Sequence, residues 1–213
     1  MKRFIIGTSL TAAMLLAGCA EESASTKKAE ATSAAEVKKK EEKENGTKDT
    51  AVKKEETPKV EKSEFGTKIN YFTNKKLNIS TNLGPIIFKI SKVQTSDFKP
   101  SKEYLDMFDS KEKVTLVVFE VEAENTSDAT INFHPNQAKL TTNTAEQIDA
   151  SMVLSADVGG EYIGKVKKKG TVIFIASAAP NKITDVKFIV DGPNDENFET
   201  LAERYTVEIP TKQ

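Results

Sequence analysis

Apolar residues recur at every second position along five short segments, and this spacing constrains the fold more than any other feature of the chain. A period of two places one side of an extended segment against a core and the other side in water, so each segment is predicted to be a β-strand. One segment also has apolar residues at its intervening positions, Ile173 and Ile175, which predicts a strand covered on both sides. The alternating residues are Ile86, Phe88 and Ile90; Val117, Phe119, Val121 and Ala123; Val172, Phe174 and Ala176; Val186, Phe188 and Val190; and Tyr205, Val207 and Ile209.

Turn-forming residues separate these segments. Clusters of Asn, Asp, Ser, Gly, Pro or Lys occupy residues 82–85, 125–128, 168–170 and 191–194. About seven or eight short strands joined by such turns suit an antiparallel β-sandwich. The predicted fold class is therefore all-β, an Ig-like antiparallel β-sandwich in architecture, without the cysteine pair that pins the sheets of antibody domains.

One short helix is predicted within this β-rich region, near residues 100–110. Pro100 and Ser101 are typical of a helix start, with Ser101 as the expected N-cap. Tyr104, Leu105 and Phe108 follow at helical spacing. The sandwich is therefore expected to carry one short helical insert.

The composition changes sharply near residue 65. Residues 20–64 contain eleven Lys and twelve Asp or Glu and no aromatic residue. Such a segment buries too little apolar surface to offset the entropy lost on ordering, so residues 19–64 are predicted to be a disordered linker that begins at Cys19. Residues 65–213, which number 149, are predicted to form one domain. Their 18 basic and 20 acidic residues nearly balance, which argues against nucleic acid as a partner.

The first 18 residues have the order of a secretory signal. Lys2 and Arg3 precede an apolar stretch, residues 4–16, that is too short to span a bilayer as a helix. The sequence Leu16-Ala17-Gly18-Cys19 then resembles a lipobox, the bacterial lipoprotein processing signal. The resemblance implies cleavage between Gly18 and Cys19 and lipidation of Cys19, which is the only cysteine of the chain. Two acyl chains suffice for a stable anchor, so the mature chain is expected at the extracytoplasmic face of the cell membrane.

Two longer segments resemble a known family. Residues 114–133 read as a long strand, an Asn-containing turn and a short returning strand, and residues 164–170 lead into the apolar strand of residues 171–176. Together they resemble the telokin-like, immunoglobulin-like domain of Gram-positive surface lipoproteins. The resemblance covers about residues 75–210. It implies a β-sandwich tethered outside the cell, and it implies neither a reaction nor any functional residue.

The densest basic cluster of the domain consists of Lys165, Lys167, Lys168 and Lys169. These lysines are the candidate binding residues, with an anionic wall polymer as the candidate ligand. The alternative is that they solvate a hairpin and discourage pairing at a sheet edge.

Four other groups have both a functional and a structural interpretation. Glu120, Glu122 and Glu124 line one strand face, where paired carboxylates can act in acid–base chemistry but also simply face water. The remaining three patterns are a P-loop-like run at residues 159–166, the single His134 in a turn, and an oxygen-rich turn at residues 191–196 of the kind that Ca²⁺ prefers. For each, the structural interpretation is preferred, so no catalytic residue, metal ligand or cofactor is assigned.

These features favour a non-enzymatic, membrane-anchored module that binds an envelope protein or wall polymer. A small-solute-binding lipoprotein is the alternative, although transporter-linked binding proteins usually have two lobes. A hydrolase using scattered Asp, Glu or Ser residues is a third hypothesis.

Overall fold

The structure is a computed structural model that describes residues 60–212. The expected signal segment, Cys19 and most of the expected linker lie outside the described residues, as does Gln213. The strands are β1 (Val60–Ser63), β2 (Gly66–Asn74), β3 (Ile79–Leu83), β4 (Ile86–Pro100), β5 (Val114–Asn125), β6 (Thr130–Asn132), β7 (Lys139–Thr142), β8 (Gln147–Asp149), β9 (Glu161–Ile163), β10 (Lys167–Ala176), β11 (Asp185–Val190) and β12 (Tyr205–Pro210). Two 3₁₀ helices, Lys102–Phe108 and Pro135–Gln137, complete the described elements.

Two antiparallel sheets form the body of the domain. The first has the strand order β1-β2-β4-β5-β10, and β3 pairs with the first part of the long strand β4. The second has the order β12-β11-β7-β8, and β6 and β9 make a small two-stranded sheet. The predicted all-β antiparallel sandwich is therefore confirmed.

The core lies between the inner faces of the two large sheets. Phe188 on β11 marks its centre, because its ring lies 5.1 Å from that of Phe119, 5.9 Å from Phe174 and 6.0 Å from Phe88, all on the first sheet. The residues with period-two spacing supply most of this core, as predicted, although Tyr205 and Val207 are only partly buried.

A second, smaller apolar cluster covers part of the outer face of the first sheet. Phe98, Val114 and Leu116 project from β4 and β5, and Phe108 packs on Phe98 with ring centroids 5.1 Å apart. Ile173 and Ile175 pack against this cluster, which confirms that β10 is covered on both sides.

The insert above this cluster differs from the expected helix in two respects. Lys102–Phe108 is a 3₁₀ helix, in which side chains repeat every three residues. Ser101 precedes it but makes no side-chain cap, because its hydroxyl donates to the Glu64 carbonyl oxygen at 2.8 Å. Ser101 therefore joins the insert to the turn between β1 and β2.

Regular structure begins before residue 65, where the composition changes. Val60–Ser63 pairs residue for residue with β2, and Lys68 forms an ion pair with Glu61 at 2.7 Å. Strand β1 is held by backbone pairing at the sheet edge rather than by burial in the core, since Val60 remains 53% exposed. Because this strand buries little apolar surface, the composition of the segment could not predict it.

Candidate functional site

The carboxylate stripe lies on the outer face of the first sheet and is paired with lysines on both neighbouring strands. Glu120 contacts Lys169 at 2.7 Å, and Glu124 contacts Lys167 at 2.9 Å. Glu122 lies between Lys167 at 3.2 Å and Lys89 at 3.4 Å. The stripe is thus one part of a three-strand arrangement of alternating charge, which we call the charge ladder: Lys89, Glu120, Glu122, Glu124, Lys167 and Lys169.

These contacts lower the pKa values of two of the carboxyls, Glu120 and Glu122. The hydrogen bond from Lys169 lowers the pKa of Glu120 below its ordinary value. For Glu122, partial burial acts to raise the pKa, but the hydrogen bonds from Lys167 and Lys89 outweigh it and the pKa is lowered. Neither carboxyl therefore has the raised pKa that suits a general acid.

The four candidate lysines do not share one surface. Lys167 and Lys169 belong to the charge ladder, whereas Lys168 points to the opposite side of β10, as the period of two requires. There Lys168 donates to the Gly159 carbonyl oxygen at 2.6 Å and lies 4.7 Å from the centroid of the Tyr162 ring. Lys165 pairs with Asp128 at 3.1 Å in the turn before the strand.

Binding of an anionic polymer by these lysines stays a prediction. The polymer would have to displace a glutamate from Lys167 and from Lys169.

His134 lies directly before the Pro135–Gln137 helix and is held by its Nδ1 atom. That nitrogen accepts the Gly160 backbone N–H at 3.2 Å. Burial, followed by the charge of Lys168, lowers the pKa of His134. His134 also lines a polar cavity of about 300 Å³ with Asn132, Gln137, Lys139, Asp191, Gly192 and Asn194.

The segment from residue 191 to residue 204 is a hairpin-like loop organised by one aspartate. The Asp195 carboxylate accepts the backbone N–H of Asn197 at 2.9 Å and of Glu199 at 2.8 Å. Asp195 and Glu199 also bond through their backbones at 3.1 Å. These bonds close a tight turn around Phe198.

Phe198 is presented to solvent at the tip of this turn. Its side chain is 79% exposed, and its φ of 63° is uncommon for a bulky residue. Residues 193–203 contain four carboxylates and no Lys or Arg, so the aromatic ring stands in an acidic surrounding. We call residues 191–204 the Phe198 loop.

The Phe198 loop meets the β3–β4 turn at one end of the sandwich. Leu201 packs over the β3–β4 turn at Gly84, where an added Cβ would lie 2.9 Å from the Leu201 carbonyl oxygen. The Pro85 carbonyl oxygen accepts the Thr126 backbone N–H at 3.0 Å, which joins the β3–β4 and β5–β6 turns. Ile163, which is 68% exposed, precedes the β9–β10 turn at the same end. This end therefore carries exposed apolar side chains from separate loops.

Two of the alternative site patterns have other geometries. Part of the P-loop-like run forms strand β9 (Glu161–Ile163), and its lysine, Lys165, pairs with Asp128. In the oxygen-rich turn, Asp191 pairs with Arg204 at 2.6 Å while Asp195 accepts backbone N–H groups. Within residues 60–212, no three His, Cys, Asp or Glu side chains are grouped as a metal site requires.

Sequence reasoning missed Phe198. It is the single aromatic residue in an acidic, turn-rich segment, and this isolation from any period-two pattern was the available signal. A second missed feature is a set of lysines that line two cavities beside β2.

Comparison with known proteins identifies one lipoprotein relative and a similar fold. No family model matches the chain. The chain is similar to the SPbeta prophage-derived uncharacterized lipoprotein YonS of Bacillus subtilis (strain 168). The two sequences are 27% identical over 145 residues, which is 67% of this chain. The chain spans 64% of the length of that relative. The similarity supports the interpretation of the chain as a lipoprotein.

A solved structure, that of a functionally unknown protein from Listeria monocytogenes EGD-e, has a similar fold. It superposes with a TM-score of 0.53 at 11% identity, covering 68% of this chain and 88% of the other.

Neither of the helices described within residues 60–212 has the length and the apolar character that a membrane-spanning helix needs.

Proposed function

We propose that this protein is a lipid-anchored lipoprotein of the extracytoplasmic cell membrane face, whose β-sandwich is a non-enzymatic interaction module of the envelope. The anchor is the lipid on Cys19, exposed by cleavage after Gly18, and the sandwich is of the telokin-like, immunoglobulin-like type. The similarity to a Bacillus subtilis lipoprotein supports the anchor. The proposed partner is an envelope protein.

The Phe198 loop carries the proposal of a protein partner. A phenylalanine exposed to 79% leaves its ring in water, and the hydrogen bonds of Asp195 hold the turn that presents it. A preformed aromatic anchor binds with little loss of conformational entropy, and such anchors commonly dominate binding energy at interfaces.

The charge around Phe198 defines the partner surface. Glu196, Glu199 and Glu203 are exposed and flank the aromatic ring in the sequence. A partner that accepts the ring in an apolar pocket with a rim of Lys or Arg would match both properties. An anionic bilayer would repel the same carboxylates.

The non-enzymatic part of the proposal rests on how the chemically capable groups are engaged. The three carboxylates of the charge ladder are paired with lysines, and the pKa values of Glu120 and Glu122 are lowered. His134 uses its Nδ1 lone pair to accept a backbone N–H. These groups stabilise the fold in ways that a general acid or base would have to give up.

The test replaces Phe198 with a photo-cross-linking aromatic residue in the full chain on living cells. We expect one discrete adduct, whose cross-linked peptide lies in an apolar pocket flanked by Lys or Arg. Reversing Glu196 and Glu199 to Lys should remove the adduct.

The matched control places the same cross-linker at Val153, which is 77% exposed on another loop. Equal adducts from both positions, or an adduct that survives the charge reversal, would refute a specific role for the Phe198 loop.

Anchoring is tested separately. Cys19→Ala should abolish lipid labelling and release the chain from membranes, because a single thioether site carries the acyl chains. Unchanged labelling and membrane retention would show that Cys19 is not the anchor.

The polar cavity beside His134 favours small-solute binding as the second candidate function. It offers amide, imidazole and carboxylate groups within about 300 Å³. A bound solute would raise the melting temperature by mass action, and Asn132→Leu should cancel that rise. A metabolite screen with no rise would remove this candidate.

A further inference from the structure

We propose that a lysine-lined groove beside β2 binds a linear phosphodiester polyanion. Two adjoining cavities, of about 480 Å³ and about 410 Å³, share Thr73 and Lys75 as lining residues and form this groove. The proposal rests on the proposed function in one respect: an extracytoplasmic location makes the polyanion an envelope polymer. The groove is separate from the Phe198 loop.

Lysines lie along the whole groove. The first cavity is lined by Lys75, Lys76 and Lys212, and the second by Lys68, Lys75 and Lys92. The only carboxylate among the lining residues of the two cavities is Glu61, which pairs with Lys68 at 2.7 Å. The five lysines therefore leave a net positive charge over the groove.

Three of the five groove lysines differ from those of the charge ladder in their partners. Lys167 and Lys169 each contact a glutamate directly. Within residues 60–212, Lys75, Lys76 and Lys212 are in no ion pair, so they are available to an external anion. At these three lysines, an anionic ligand displaces water and counterions rather than a protein carboxylate.

The length of the groove favours a polymer over a single phosphate. Lys68 and Lys75 are seven residues apart along β2 and its end, which corresponds to about 20 Å of extended chain. Lys92 lies on the adjacent strand β4, beside Val93, which pairs with Asn74. A chain of phosphates following β2 would meet these cations in succession.

Other lining groups suit the neutral parts of such a polymer. Phe72 and Pro210 give the first cavity an apolar wall, which suits the carbon units between phosphates. Asn70 and Gln94 line the second cavity and already bond to each other at 2.7 Å, so their remaining groups can bond to hydroxyls or phosphate oxygens.

The test measures binding of a synthetic poly(glycerol phosphate), long enough to span the groove, to the full chain carrying Cys19→Ser. That substitution removes the acyl group from the measurement. Binding should weaken as salt rises, with a slope that counts the lysines engaged. Lys75→Glu with Lys76→Glu should reduce affinity about tenfold or more and lower that slope by about one to two.

The matched control reverses Lys102 and Lys182, which are exposed and line neither cavity. This variant has the same net charge as the groove variant, so affinity should change by less than about twofold if position rather than net charge matters. Equal losses in the two variants would overturn the proposal.

Two further probes distinguish the source of the anion. Binding to phosphatidylglycerol vesicles without binding to the polymer would overturn the proposal in favour of a membrane headgroup, and equal affinity for inorganic phosphate would overturn the elongated mode. Phe198→Ala should leave polymer binding unchanged. Failure of the Phe198 loop to capture a protein is thus distinguishable from failure of the groove to bind a polymer.

Discussion

At the scale of single residues, two phenylalanines of the same chemistry serve opposite purposes. Phe188 is fully buried and meets three aromatic rings of the facing sheet. Phe198 is 79% exposed and meets no ring among the described residues. The difference arises because Phe188 lies on the inner face of a strand whereas Phe198 lies at the tip of a turn.

Replacement of each by alanine should separate the two roles. Phe188→Ala is expected to lower the free energy of unfolding by about 3–5 kcal/mol, because a cavity opens between the sheets. Phe198→Ala should change it by no more than about 0.5 kcal/mol, since the ring is already in water. Urea unfolding of both variants checks this, with Phe188→Leu as a milder change if the alanine variant fails to fold. Similar losses from both alanine variants would contradict the assigned roles.

At the scale of elements, the charge ladder joins three strands across the outer sheet face. Its ion pairs are partly exposed, so solvent screening keeps the contribution of each pair to stability small. Because the pKa values of Glu120 and Glu122 lie below the ordinary value of 4.5, their contribution is present above that pH. It is lost as the pH falls through the lowered pKa values.

Acid should therefore weaken the wild-type chain more than a chain in which Glu120 and Glu122 cannot titrate. We expect the stability lost between about pH 6 and about pH 3.5 to be smaller in the Glu120→Gln, Glu122→Gln variant. Urea unfolding at both pH values measures the difference. High salt, which screens exposed pairs, should bring the two chains closer together. An identical acid response would show that the ladder pairs do not stabilise the fold.

At the scale of the whole molecule, the folded unit includes β1. This strand is the edge strand of the first sheet. Just after it, the Glu64 carbonyl oxygen accepts the Ser101 hydroxyl at 2.8 Å, and the Phe65 carbonyl oxygen accepts the Ser101 backbone N–H at 2.9 Å. The insert over the second cluster is thereby connected to the beginning of the domain.

A chain beginning at residue 65 should be less stable than one beginning at residue 58. Loss of β1 is expected to lower the free energy of unfolding by about 1–2 kcal/mol. Each backbone hydrogen bond between β1 and β2 stabilises the fold modestly, and the entropy lost on ordering four residues offsets part of that stabilisation. The exposed edge of β2 should also promote self-association. Urea unfolding and sedimentation velocity test both effects. Equal midpoints for the two chains would place the boundary of the stable unit after β1.

Much of the candidate site could not be predicted from the sequence, because the fold brings together residues that are distant in the chain. The four lysines of residues 165–169 form the densest basic cluster of the domain, but the fold places Lys168 on the opposite side of β10 from Lys167 and Lys169. The other three pair with carboxylates: Lys165 with Asp128, Lys167 with Glu124 and Lys169 with Glu120. The groove lysines are spread from Lys68 to Lys212, and no sequence window contains them together.

The sequence by itself determined the fold class and the inner face of the sandwich. A period of two leaves little choice about which side of a strand is buried, so the spacing alone predicts that Phe88, Phe119 and Phe188 belong to the core. Tertiary structure alone decided which charges are paired, that Phe198 is exposed at a turn, and that β1 pairs at the sheet edge. Ion pairing, exposure and edge pairing depend on neighbours that are distant in the chain, and local sequence does not contain them.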